Sequence, residues 1–131
     1  MRLAHALAAA ILLAASTTAS ASPLNCPAEL AADDGAGGTE AVHKFRYVSF
    51  FDGDPSEMAD LAPEEGPNPK LLEQRWQLTR TAGRPIVMVC RYHGTDRTLR
   101  QEVPPDVQEC RLNGFIDATG EIIGSPTLEC R

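Results

Sequence analysis

The sequence is poor in the side chains from which reactive and metal sites are built. It has four cysteines but no Cys-x-x-Cys pair, and beyond residue 21 its histidines are His43 and His93. Zinc-type ligand spacing is therefore missing, and neither a metal nor a cofactor is expected. No serine, Ser49 included, stands in a Gly-x-Ser-x-Gly context, so the nucleophile elbow of a hydrolase is absent. Bases are scarce as well. Lys and Arg number 12 against 18 Asp and Glu, a net charge of −6, which excludes a basic face for nucleic acid. No apolar run is long enough to span a bilayer.

What the chain does have begins with an export signal. Arg2 precedes a run of Ala, Leu and Ile that ends in Ala19-Ser20-Ala21, the small-x-small form of a signal-peptidase site. Residues 1–21 are thus expected to be a cleaved signal peptide and residues 22–131 a single domain in an oxidising compartment. Cys26 lies several residues past the cut, so a lipid anchor is not expected. A chain of this length buries roughly two-thirds of its unfolded surface and has a modest core. An even count of Cys26, Cys90, Cys110 and Cys130 points to two disulfides bracing it. Three pairings are open; the favoured one is Cys90–Cys110 with Cys26–Cys130, the latter tying the termini together.

Residues 86–110 read as the organising element, a β-hairpin. Ile86, Met88, Cys90 and Tyr92 alternate with Val87, Val89, Arg91 and His93, the period of a strand. Gly94-Thr95 supplies a two-residue turn that sets His93 opposite Asp96, Cys90 opposite Leu99 and Ile86 opposite Val103. Residues 42–51 form another strand, with Phe45, Tyr47 and Phe51 on one side of Lys44 and Arg46. Asp54-Pro55-Ser56-Glu57 carries a helix-start signal with Asp54 as cap, predicting a short helix over 55–61. Residues 73–80 form a strand with Trp76 and Leu78 inward, and residues 110–130 a last hairpin broken by Gly124 and Pro126. Residues 25–41 and the proline-rich 62–70 read as loops. The expected fold is mainly β, a small antiparallel sheet or partly open barrel with one short helix. Its expected core is Phe45, Tyr47, Trp76, Leu78, Ile86, Met88, Leu99, Val103 and Ile116.

Chemistry is thinly provided for. His93 and Asp96 flank the hairpin turn, where a cross-strand pair stabilises a hairpin end more often than it acts on a substrate. Cys90 and His93, three apart on a strand, point to opposite faces and make no nucleophile–base couple. Asp52, Asp54, Glu57 and Asp60 lack the ligand order of a calcium loop and suit a helix start instead. Trp76 on a strand packs in the core. No constellation for an enzyme remains, so a binding protein is expected. Ten acids against two bases between residues 29 and 65 would favour a basic partner and speed its association. Asp52 and Asp54, or the turn carrying Tyr92, His93 and Asp96, are the segments suited to enter a cleft.

The order of motifs resembles a family of small uncharacterised periplasmic proteins of Gram-negative bacteria, named after an open reading frame of a Salmonella pathogenicity island. The matching features are Cys26-Pro27, VSFFDGDP at 48–55 running into Glu57, Ala59, Leu61 and Pro63, and Trp76-Gln77-Leu78. Cys90-Arg91-Tyr92-His93-Gly94-Thr95, Leu99, Val103-Pro104, Cys110 and Cys130 follow. Some such proteins are encoded beside type VI secretion effectors that attack peptidoglycan. The resemblance therefore implies a periplasmic immunity protein that blocks such an effector. A lysozyme inhibitor and an envelope structural or accessory protein are the alternatives. No catalytic residues come with the family.

Overall fold

The computed structural model describes residues 24–33 and 39–131; the expected signal peptide, residues 1–21, lies outside them. Two four-stranded antiparallel sheets make up the fold, one of them curled as a half-barrel. The first runs β1-β2-β5-β6, from β1 (Glu29–Asp33), β2 (Glu40–Asp52), β5 (Ile86–Tyr92) and β6 (Thr98–Glu102). The second runs β3-β4-β7-β8, from β3 (Glu64–Glu65), β4 (Leu71–Gln77), β7 (Glu109–Ile116) and β8 (Ile122–Cys130). The two sheets meet across Trp76 of β4, whose ring lies 5.0 Å from that of Phe50 and 6.4 Å from that of Tyr47, both on β2. Val48, Phe50, Trp76, Ile86, Met88 and Leu112 are fully enclosed there.

The central hairpin has the register its turn dictates. Cys90 pairs with Leu99, Val103 donates its N–H to the Ile86 carbonyl at 2.8 Å, and Gly94 takes the positive φ of +75°. Elsewhere long-range pairing overrides local signals. Residues 29–33, expected as loop, are β1, because β2 offers them an open edge in antiparallel register. Residues 64–65 likewise pair with β4 instead of remaining loop. In β2 a bulge between Phe45 and Tyr47 changes the parity. Phe45 points inward before it and Val48 and Phe50 after it, while Tyr47 is half-buried. Leu99 and Ile116 are also only partly buried against the core, and Leu72, Tyr92 and Leu112 join it.

The helix expected over 55–61 is a single 3₁₀ turn, Pro55–Glu57. Asp54 caps it as foreseen, accepting the Ser56 N–H at 2.8 Å. The turn stops because the following residues are taken by the edge of β2. Asp52 donates to the Ala59 carbonyl at 2.9 Å, and Leu61 to that of Phe50 at 2.8 Å.

The favoured disulfide pairing is overturned: the bonds are Cys26–Cys90 and Cys110–Cys130. After Pro104 the chain leaves the first sheet, which places Cys110 in β7 of the second. Cys110 and Cys130 instead face each other across β7 and β8. The neighbouring Glu109 and Arg131 exchange both backbone bonds, so the cysteines occupy a closely spaced non-hydrogen-bonded pair with Cα atoms 4.1 Å apart. Cys90 points into the core from β5 and meets the N-terminal segment there. That segment is also held by the Tyr92 hydroxyl, which donates to the Pro27 carbonyl at 2.8 Å.

Candidate protein-binding site

The residues expected to bind do not converge. Asp52 and Asp54 stand where β2 ends beside the start of β5, whereas His93 and Asp96 follow the end of β5. A seven-residue strand separates the two places by roughly 20 Å at about 3.3 Å per residue.

At the hairpin end little is free to engage a partner. Tyr92 is 3% exposed, packed edge-on against Phe45 with ring centroids 6.1 Å apart, and its hydroxyl is committed to Pro27. It is a core residue, not a surface one. Its alternation with Ile86, Met88 and Cys90 already placed it on the inward face. Burial raises its pKa. The His93 ring donates from Nε2 to the Gly124 carbonyl at 2.9 Å, so it is directed to β8 and not across the turn to Asp96, which is exposed. Sequence reasoning passed over His43, which is 8% exposed. Its Nδ1 lies 2.6 Å from the His93 carbonyl oxygen and its Nε2 3.2 Å from that of Ala32. The ring thus sits between β1 and the hairpin turn.

The acidic end is built differently. Gly53, at φ +87°, turns the chain sharply out of β2 and donates to the Pro85 carbonyl at 2.8 Å. Arg84 then lies over this turn. Its Nη2 donates to the Asp52 carbonyl at 2.9 Å and pairs with the Glu57 carboxylate, and its Nε sits 3.4 Å from Asp52 Oδ1. A Cβ on Gly53 would come within 2.9 Å of Arg84 Cζ, so the guanidinium would have to shift, and the backbone angle is what calls for glycine. Arg84 joins the turn from more than 25 residues away, and no local signal announced it. The ion pairs raise the Arg84 pKa, Glu57 contributing most. Asp54 is held below the usual carboxylate range by the Ser56 backbone and side-chain hydrogen bonds.

At the apex Met58 adopts a left-handed conformation, φ 59° and ψ 28°, with 81% of its surface exposed. A non-glycine residue held there is uncommon, and such strain is retained only where surrounding bonds determine it. The result is a fixed acidic knuckle, residues 52–60, with an apolar tip. Arg84 balances Asp52 and Glu57, leaving Asp54 and Asp60 exposed beside Met58. Among the described residues no cluster of three or more His, Cys, Asp or Glu is arranged to hold a metal ion.

Residues 39–131 match the family described as type VI secretion system Tli immunity protein. The chain belongs to that family. It is also 30% identical over 136 residues, 88% of this chain and 91% of the relative, to an Azospirillum brasilense protein described as an uncharacterized 16.3 kDa protein in the trpG 5′ region. No solved structure matches. The family match bears out the association with type VI secretion and an immunity role directed at an effector; it says nothing of the Salmonella reading frame. The two disulfides are consistent with export, and no described helix is long and apolar enough to cross a membrane.

Proposed function

We propose that residues 22–131 act in the periplasm as an inhibitor that binds a type VI effector attacking peptidoglycan and occludes its active-site cleft with the knuckle at residues 52–60. Membership of the type VI immunity family carries this reading. The knuckle supports it because it combines what an interface core needs, an apolar tip on a scaffold that does not have to reorganise on binding. Asp54 and Asp60 beside that tip favour a basic cleft and a fast encounter. The hairpin end, with Asp96 and the partly exposed His93, would lie outside the same cleft and make at most a peripheral contact.

The test is inhibition. Residues 22–131 are mixed with the purified effector encoded beside the gene, and digestion of isolated peptidoglycan is followed. Loss of activity at one inhibitor per effector, relieved by Met58→Asp, is the expected result. Binding with full residual activity would refute occlusion. Inhibition of a purified lysozyme in place of the effector would assign the protein to that target. Capture of an envelope complex alone would assign it an accessory role.

A further inference from the structure

The outer face of the second sheet is not the polar surface usual for the solvent side of an antiparallel sheet. Cross-strand register places Leu71 beside Phe115 and Phe115 beside Ile123, an apolar row across β4, β7 and β8. Phe115 is 63% and Ile123 49% exposed. The next row is Glu73, Asn113 and Thr127. Arg75 and Arg111 in the row after that are already paired, with Glu64 and Glu109. Glu73 differs. Its Oε2 is buried and has no hydrogen-bond partner among the described residues, a state a native protein seldom leaves unanswered.

Two hollows flank this carboxylate, of about 310 Å³ and 250 Å³, and both are lined by Glu73 and Asn113. The first is bordered by Glu64 and Glu65, the second by Leu71 and Phe115. Together they form one shallow trough that is acidic at one end and apolar at the other. It starts only four residues along the chain from Asp60 of the knuckle.

We infer that this trough is a second docking surface for the effector, and that it receives a segment presenting an arginine or lysine next to an apolar side chain. The cation completes Glu73 and the apolar group covers Phe115 and Ile123. Charge complementarity selects this occupant: the trough's Arg75 and Arg111 are neutralised within the chain, and the unanswered charge is negative. The inference rests on the immunity reading above.

The experiment measures the affinity of residues 22–131 for the purified effector encoded beside the gene, at low and high salt. It compares Glu73→Gln, Phe115→Ser and, as a control on the exposed edge of β6, Glu102→Gln. Thermal unfolding checks that each variant is folded. At least tenfold weaker binding is expected for Glu73→Gln and for Phe115→Ser, with none for the control. The salt dependence should flatten for Glu73→Gln alone, a change that a loss of packing would not produce. Binding within twofold of the unchanged protein for either variant overturns the inference and leaves the immunity reading standing. Failure of the unchanged protein to bind the effector overturns both. A free chain that sediments as a dimer and is dispersed by Phe115→Ser would assign the face to a second copy and overturn the inference.

Discussion

Removing the Cys26–Cys90 bond should cost the protein more than removing Cys110–Cys130, although the latter joins two strands of one hairpin. The bonds span sequence separations of 64 and 20. On the chain-entropy account, loops of those lengths correspond to roughly 4.3 and 3.3 kcal/mol of stabilisation. Cys110 and Cys130 stay in register through the paired bonds of Glu109 and Arg131. Without Cys26–Cys90, the segment before β1 keeps the Tyr92–Pro27 bond and the Phe45 N–H to Ala28 carbonyl bond at 2.9 Å. Against a total stability of about 5–15 kcal/mol for a domain of this kind, the Cys26→Ala/Cys90→Ala variant should lose from roughly a third to most of its stability. Urea titration of the two double-alanine variants under non-reducing conditions gives the comparison. The m-value should also rise more for Cys26→Ala/Cys90→Ala, because the denatured chain is released over a longer loop. A costlier Cys110→Ala/Cys130→Ala variant would refute the reasoning. So would a peptide joining Cys90 to Cys110 in a digest of the unreduced protein.

Further outcomes follow from the knuckle and its supports. Gly53→Ala should destabilise by about 1–3 kcal/mol in chemical denaturation, since alanine must adopt positive φ and displace Arg84. Trp76→Phe should cost about 1–3 kcal/mol by leaving the Leu61 carbonyl without the indole N–H that now donates to it at 3.0 Å. It should also speed amide exchange at residues 59–61. Acid should loosen the two Asp-stabilised turns only below the ordinary aspartate range. The Asp54 and Asp117 pKa values are lowered in the folded chain, the latter mainly by the Thr119 hydroxyl and by backbone N–H groups. Their contribution is therefore complete above the unfolded aspartate value of about 3.9 and is lost as pH falls through the folded values. An NMR titration should show the Ser56 and Thr119 amide signals moving only below that value; movement near neutrality would contradict the assignment.

How far the structure was legible depended on how local the deciding interaction is. Gly94-Thr95 sets the β5–β6 register locally, so the Cys90–Leu99 and Ile86–Val103 pairings read from it hold, whereas His93 and Asp96 lie beyond the paired strands. Asp54-Pro55 marks a helical start equally locally. Whether an α-helix or one 3₁₀ turn follows is decided by β2, which captures residues 59–61, and no residue in 55–61 encodes that. The bulge at Phe45–Tyr47 is a second case. Strict alternation placed Tyr47 in the core and missed Val48 and Phe50, because an added residue in one strand cannot be seen from that strand's pattern. The disulfide pairing failed for a related reason, since it depends on which sheet receives β7. Of the site, the acidic residues 52–60 were legible as a charged helix start. Their restraint by Arg84 and the exposure of Met58 were not, because both require the start of β5 to lie beside the end of β2.

That adjacency also explains how so short a loop is held rigid. A free nine-residue loop would lose about 1–2 kcal/mol of backbone entropy per residue on being fixed by a partner. Here the fixing occurs during folding. Residues 50 and 52 bind residues 61 and 59, Trp76 holds the Leu61 carbonyl from the enclosed core, and Arg84 spans the mouth of the turn. Strain at Met58 is sustained by the same bonds, so its side chain is already extended before an effector arrives. Arg84→Ala would then separate two contributions. The exposed ion pairs add little to global stability, so unfolding should hardly change. If rigidity is what the effector engages, the complex should still dissociate faster. An unchanged dissociation rate would mean that the knuckle acts by its charge alone.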